Sequence, residues 1–301
     1  VAALLLWPDP PAGETGAWLR AAGLEERYAL VDGLRIRYVR AGAGPPLVLL
    51  HGFGASLYTW REVLPALARH HDVVAVDLPG FGGSDRPPDL KAETGSEAVV
   101  GLLDHLGFDR VEVVGHSMGG AVAVGIAGDR PERVERLVLI DAAGFNLEPG
   151  ERPWLLRLLA SPIGAVVVGL PKKRSIVALA LRQVFHDDGK VTPHRVDEYL
   201  APLERPGAFD SARSLLSSQG AAGPPFREQA GRVRAPTLVV WGRDDEWIPL
   251  AQANLFLRSI PDSRLRVIDA CGHVPQEEQP EETAAALLAF LGAGPGQAEA
   301  P

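Results

Sequence analysis

The chain switches between short blocks of apolar residues and longer stretches in which apolar positions recur every three or four residues. Blocks at 47–50, 73–76, 111–114, 137–140, 238–241 and 265–268 lack regular alternation. Blocks of that length suit strands covered by helices on both faces. Ahead of them, 28–31 and 34–39 flank Asp32-Gly33 with partial alternation, which predicts an antiparallel hairpin. Residues 60–68 and 97–106 carry apolar side chains at three and four spacing, and 118–127 follow the third block; all three predict helices. Strands alternating with helices predict an α/β fold, a mostly parallel sheet of eight strands flanked by helices.

This rhythm stops between 140 and 237, an interval too long for one ordinary crossover. Within it, 154–159, 175–185, 196–203 and 209–216 read as helices with Pro and Gly between them. Residues 146–232 are therefore expected to form a helical cap over the carboxyl ends of the strands, where open α/β sheets carry their binding crevices. The body then consists of 28–145 and 233–293, with an N-terminal extension at 1–27. Residues 294–301, rich in Gly, Ala, Pro and Glu, read as a frayed tail.

A chain of 301 residues can bury a large core. Its single Cys excludes an internal disulfide framework. The formal charge of -8, from 38 acidic and 30 basic residues, argues against a nucleic-acid partner, which would need clustered cations. Lys172-Lys173-Arg174 reads as a solvated turn. The apolar residues 1–7 fall well short of the ~20 needed to cross a bilayer. They fit a helix packed on the body, or the end of an export or anchoring segment. A cytoplasmic monomer or homodimer without membrane association is the default expectation, with export or anchoring as the alternative.

The chemistry enters at Gly115-His116-Ser117-Met118-Gly119, between an apolar block and a stretch dense in Gly and Ala. A sharp strand-to-helix turn there would lift the Ser117 hydroxyl out of the packed surface to where a histidine can reach it. An ordinary helix cap is the competing reading for a lone serine. An acid follows a later block, in Trp241-Gly242-Arg243-Asp244-Asp245, and a histidine follows the last, in Ala270-Cys271-Gly272-His273. The order Ser, Asp, His separates this arrangement from other serine hydrolase solutions.

On His51-Gly52-Phe53-Gly54, Asp77-Leu78-Pro79-Gly80-Phe81-Gly82, Gly115-His116-Ser117-Met118-Gly119-Gly120, Trp241-Gly242-Arg243-Asp244-Asp245 and Gly272-His273-Val274-Pro275, the chain resembles the α/β-hydrolase family. The likeness runs from about residue 28 to 291, and it is with the capped serine esterases and carbon-carbon bond hydrolases. It implies Ser117 as nucleophile, His273 as general base and then acid, and Asp245 as the acid that fixes the His273 tautomer. The family pattern of Trp-Gly, two residues and then Asp implies Asp245 over Asp244, while Asp141, just beyond the fourth block, remains a rival because some relatives take their acid there. The backbone amides of Phe53 and Met118 are the expected oxyanion donors, and His51 is expected to brace the loop carrying Phe53. His70, His71, His105, His186 and His194 read as surface residues by default, with substrate contact as the alternative for His186 or His194, and Gly80-Phe81-Gly82-Gly83-Ser84 reads as a turn.

Trp247, Val274, Trp154, Phe185 and Phe209 are candidate substrate contacts. The expected reaction is hydrolysis of a small to medium apolar ester through an acyl-enzyme, with no metal or organic cofactor. Hydrolysis of a carbon-carbon bond in a vinylogous diketone is the nearest alternative. Relatives with that activity often place Trp after the histidine, where Val274 stands here, and use a cap Arg, for which Arg157, Arg174 and Arg182 are candidates. Lactone hydrolysis and perhydrolysis use the same residues. Outside enzymes, a non-catalytic ligand-binding homologue is the remaining reading.

Overall fold

A computed structural model describes residues 16–87, 90–146, 157, 173–218 and 224–292. Eight strands form one sheet: β1 (Arg27–Val31), β2 (Leu34–Ala41), β3 (Pro46–Leu50), β4 (Asp72–Val76), β5 (Val111–His116), β6 (Val134–Ile140), β7 (Thr237–Gly242) and β8 (Ser263–Ile268), in the order β1-β2-β4-β3-β5-β6-β7-β8. The expected hairpin is present, turning through Asp32 at φ 47° and Gly33 at φ 82°. β1 and β2 are antiparallel, as is β2 with β4; from β4 to β8 every neighbouring pair is parallel.

Strand β3 shows why its block does not alternate. Val48 and Leu50 join one core cluster and Leu47 and Leu49 the other, so both faces are covered. Helices α3 (Ala92–Leu106) and α4 (Met118–Asp129) contribute to the first cluster. α1 (Ala17–Ala21), α2 (Leu64–Leu67) and α11 (Pro280–Leu291) contribute to the second. α9 (Ala253–Ser259) adds Phe256 to the first cluster. The last strand departs from the expectation of two-sided burial. β8 is an edge strand, and Arg264, Leu265 and Arg266 are exposed, with Leu265 37% accessible.

The helix expected over 60–68 is also different. A 3-10 turn at Leu57–Trp60 is followed by the four-residue α2. Pro65 has no N-H to bond the carbonyl of Arg61, so a continuous helix from Trp60 is blocked while a new one beginning at Leu64 is not.

In the interval between β6 and β7, α5 (Lys173–Val184), α6 (Pro193–Leu203) and α7 (Ala208–Ser218) form an extra helical cap region. Of the helix expected at 154–159 only Arg157 is described, and it is helical; Trp154 lies outside the described residues, as do 1–7 and 294–301. Lys173 and Arg174 start α5 instead of a solvated turn: Arg174 Nε donates to Asp197 Oδ1 at 2.7 Å, tying α5 to α6. α8 (Pro224–Arg232), which the periodicity did not reveal, lies against α4 so closely that a Cβ on Gly128 would sit 2.3 Å from the Gln229 carbonyl oxygen. His71 is fully buried instead of exposed, 3.0 Å from Glu112 at the amino end of the sheet. No helix of the described residues is long and apolar enough to cross a membrane.

Candidate active site

Ser117 stands between β5 and α4 with φ 50° and ψ −117°, a backbone conformation that side-chain-bearing residues rarely adopt. The turn is held by its N-H to the Ile140 carbonyl at 2.9 Å and by its own carbonyl, which accepts from Gly120 and Ala143 at 2.9 Å each. It closes only because its neighbours lack side chains. A Cβ at Gly115 would meet the Gly119 carbonyl oxygen at 2.3 Å, and one at Gly119 would meet that of Leu50 at 2.2 Å. Ser117 has no side-chain capping bond to α4, so its hydroxyl is free of that duty.

The hydroxyl instead meets His273, with Oγ and Nε2 3.0 Å apart. On the other side of the ring Nδ1 lies 2.7 Å from Asp245 Oδ2. A carboxylate can only accept, so the imidazole proton sits on Nδ1 and Nε2 is left to receive the serine proton. Asp245 is itself oriented by the amides of Trp247 and Ile248, which donate to Oδ1 at 2.7 and 3.0 Å. All three side chains are buried. Asp244 points elsewhere, 3.7 Å from the exposed His186. Asp141 makes no bond to His273; its Oδ1 accepts from the Gly242 amide at 2.9 Å.

Two further histidines hold the frame. His51 Nδ1 donates to the Gly52 carbonyl at 2.8 Å and Nε2 accepts from the Leu78 amide at 3.0 Å, an arrangement that requires the neutral ring. Burial lowers its pKa, against the opposing pull of Asp77. His51 therefore braces the loop after β3. That loop passes the nucleophile closely, since a Cβ on Gly52 would come 3.0 Å from that of Ser117. Phe53 follows in this loop, half-buried and packed edge-on against Phe81 with ring centres 5.5 Å apart. Met118 is the first residue of α4, where backbone amides have no acceptor within the helix. His116 is kept neutral by burial and by the neighbouring His273, and its Nε2 donates to the His273 carbonyl at 2.7 Å.

After His273, the polar residues Gln276, Glu277 and Glu278 are all buried in the one-turn α10 (Pro275–Glu278). Glu278 accepts from the amides of Gly272 and Asp187 at 2.6 Å each, and the His273 amide donates to the Val184 carbonyl at 2.7 Å. The end of α5 is thereby bound to the histidine loop. Glu277 accepts from Thr59 and Arg61 at 2.7 Å each and from the Tyr199 hydroxyl, with Arg195 at 3.4 Å. Burial and Glu277 push the Tyr199 pKa far up, so the phenol stays a donor. Neither glutamate announced itself in the sequence, because a polar run with a downstream proline is the ordinary signature of a surface turn.

Among the candidate substrate contacts, Trp247 stacks on the His273 ring with centres 5.7 Å apart and planes at 27°. Val274 and Phe185 are buried in the cluster of the cap helices, with Trp247 packed against it and the Arg195 guanidinium 4.7 Å over the Phe185 ring. Phe209 is half-buried beneath Lys173. Trp154 lies outside the described residues.

Residues 47–286 match the alpha/beta hydrolase family. The chain is 35% identical over 279 residues to the dihydrolipoyllysine-residue acetyltransferase component of the acetoin cleaving system of Pseudomonas putida, covering 90% of this chain and 70% of that protein. It is 32% identical over 278 residues to the 2-hydroxy-6-oxo-6-(2'-aminophenyl)hexa-2,4-dienoic acid hydrolase of Metapseudomonas resinovorans, covering 88% and 90%. Among solved structures, a variant of the meta-cleavage product hydrolase CumD superposes with a TM-score of 0.77 at 26% identity, covering 88% of this chain and 97% of that one.

Proposed function

This chain belongs to the alpha/beta hydrolase family, and on that premise we propose that it hydrolyses a carbon-carbon bond in a 2-hydroxy-6-oxo-dienoic acid by means of Ser117, His273 and Asp245. The observation that carries the proposal is the unbroken line from Ser117 Oγ through the His273 ring to Asp245, set in a chain similar along nearly its whole length to hydrolases of such acids. The ester reading expected from sequence uses the same three residues but has less support among the relatives.

In its keto form the substrate is a vinylogous diketone. As His273 takes the serine proton, Ser117 Oγ attacks the 6-oxo carbon, and negative charge moves onto the carbonyl oxygen. The amides of Phe53 and Met118 are the donors we assign to that oxygen; one such donor is worth about 3 to 4 kcal/mol. Collapse of the tetrahedral adduct breaks the bond to the neighbouring carbon. The released electron pair spreads through the conjugated chain, and the proton held by His273 is returned to the departing fragment. Water then enters, gives a proton to His273 and attacks the acyl carbon; as the adduct collapses to the carboxylic acid, His273 returns that proton to Ser117 Oγ. Trp247, Val274, Phe185 and Phe209 are the contacts we assign to the substrate's apolar end.

One observation favours ester hydrolysis as a second reading. The residue after His273 is Val274, buried in the cap cluster, where carbon-carbon bond hydrolases often carry Trp. Assay of 2-hydroxy-6-oxo-6-phenylhexa-2,4-dienoate beside p-nitrophenyl esters from acetyl to dodecanoyl separates the two. Turnover of the dienoate with a kcat/KM about tenfold or more above any ester is expected, a margin of about 1.4 kcal/mol in transition-state stabilisation. Ester turnover with no loss of dienoate absorbance would replace the proposal by the second reading.

A further inference from the structure

Asp141 is the buried acid that this mechanism leaves without a task. It closes β6 with φ 42°, a conformation uncommon for a residue with a side chain, and it is fully inaccessible to solvent. Its amide donates to the Val240 carbonyl at 3.0 Å and its Oδ1 takes the Gly242 N-H at 2.9 Å, so swinging the side chain away would break that bond to β7. Oδ2 has no donor among the described residues and faces the carboxylate of Asp245. Donor atoms of Asp141, Asp245 and His273 lie within 4.8 Å of one another.

Two carboxylates this close, in a site closed to water, cannot both be ionised. Asp245 accepts from three donors, His273 Nδ1 and the amides of Trp247 and Ile248, and is held as the anion. Asp141 receives a single amide. We propose that Asp141 is a positioning residue, a neutral carboxylic acid that donates its proton to the Asp245 carboxylate and so holds the acid that orients His273. This inference rests on the assignment of Ser117, His273 and Asp245 given above.

The surroundings agree. The groups that face Asp141 are Asp245 after β7, Glu278 on α10, and Cys271 and His273 after β8. Burial first, and then the charge of Asp245, drive the Asp141 pKa well above the carboxylate range, with Glu278 adding to the rise and the Gly242 N-H opposing it. Burial also pushes the Cys271 thiol far up, so that group stays neutral and adds no further negative charge.

An amide reproduces a protonated carboxyl: it donates one N-H to Asp245 and accepts from Gly242. Comparison of Asp141→Asn, Asp141→Ala and Ser117→Ala with the wild type therefore tests the inference, using p-nitrophenyl acetate and 2-hydroxy-6-oxo-6-phenylhexa-2,4-dienoate as substrates. Asp141→Ala is expected to lose about 10- to 100-fold in kcat with KM little changed, as a mispositioned group does, and Asp141→Asn to recover most of that loss. Stability gives an independent reading. The unfolded chain ionises Asp141 from about pH 4, while the folded protein keeps the proton to its raised pKa. Wild-type stability therefore falls across that window as pH rises, and Asn, which carries no titrating proton, escapes the fall. Melting temperatures should show Asp141→Asn gaining on the wild type as pH rises from about pH 4.

Equal loss of kcat in the Asn and Ala variants, or a melting difference that does not grow with pH, would overturn the assignment. Wild-type activity in Ser117→Ala would instead defeat the reading of the site, while the melting comparison would still report whether Asp141 carries a proton.

Discussion

Asp245 and Asp244 are adjacent in sequence, yet the structure gives them unrelated surroundings. Asp245 is buried between two backbone amides and His273 Nδ1, whereas Asp244 stands at the surface near His186. A carboxylate that fixes the tautomer of a base and faces the imidazolium in the transition state is worth far more than an exposed ion pair. Asp245→Asn is expected to lower kcat by about 10⁴-fold, and Asp244→Asn to change it by no more than about twofold. Steady-state kinetics on the preferred substrate at neutral pH checks both. A larger loss at Asp244 would mean that the loop after β7 presents its other acid to the histidine. At the same scale, Ser117 holds a strained backbone that costs roughly 1 to 3 kcal/mol. Contacts of the glycines around it leave the chain no room to relax.

Among the elements, the strands and the order of the motifs were legible because they follow from strong local rules. Blocks such as 47–50 mark doubly covered strands, and Gly115, Gly119 and Gly120 mark a turn in which Cβ atoms would collide with backbone or with Ala142. What stayed hidden depends on partners remote in sequence. Glu277 draws Thr59 and Arg61 from the turn after β3 and Tyr199 and Arg195 from α6, over separations no local pattern encodes. His71 is buried only because Glu112, on β5, comes beside it. α8 escaped notice because its stripe of apolar residues is short and its contact with α4 relies on the absent side chain of Gly128. The Glu277 carboxylate joins body to cap and is fully buried, so its loss should be severe. Glu277→Ala removes the buried partner of Arg61, leaving it the exposed Glu62 at 3.1 Å, and is expected to cost about 3 kcal/mol of stability in urea unfolding, whereas Glu277→Gln, which keeps an acceptor for Thr59 and Tyr199, should cost less. A loss below about 1 kcal/mol in Glu277→Ala would show that the group is a surface network in solution.

In the molecule as a whole, the sheet brings together residues 117, 245 and 273 at the carboxyl ends of β5, β7 and β8, and the cap closes over the loop that carries the histidine. The histidine loop is held from three directions: His116 below its carbonyl, the Val184 carbonyl at its amide, and Glu278 at Gly272. Activity on any carbonyl substrate requires that this assembly make one serine out of many nucleophilic. Incubation with a serine-directed fluorophosphonate, followed by digestion and peptide mass mapping, measures that directly. Labelling of Ser117 alone is predicted, with one adduct per chain, and its rate should fall by about 10³-fold or more in His273→Ala. Hydrolytic activity that persists with Ser117 unlabelled, or labelling undiminished by loss of the His273 ring, would contradict the account.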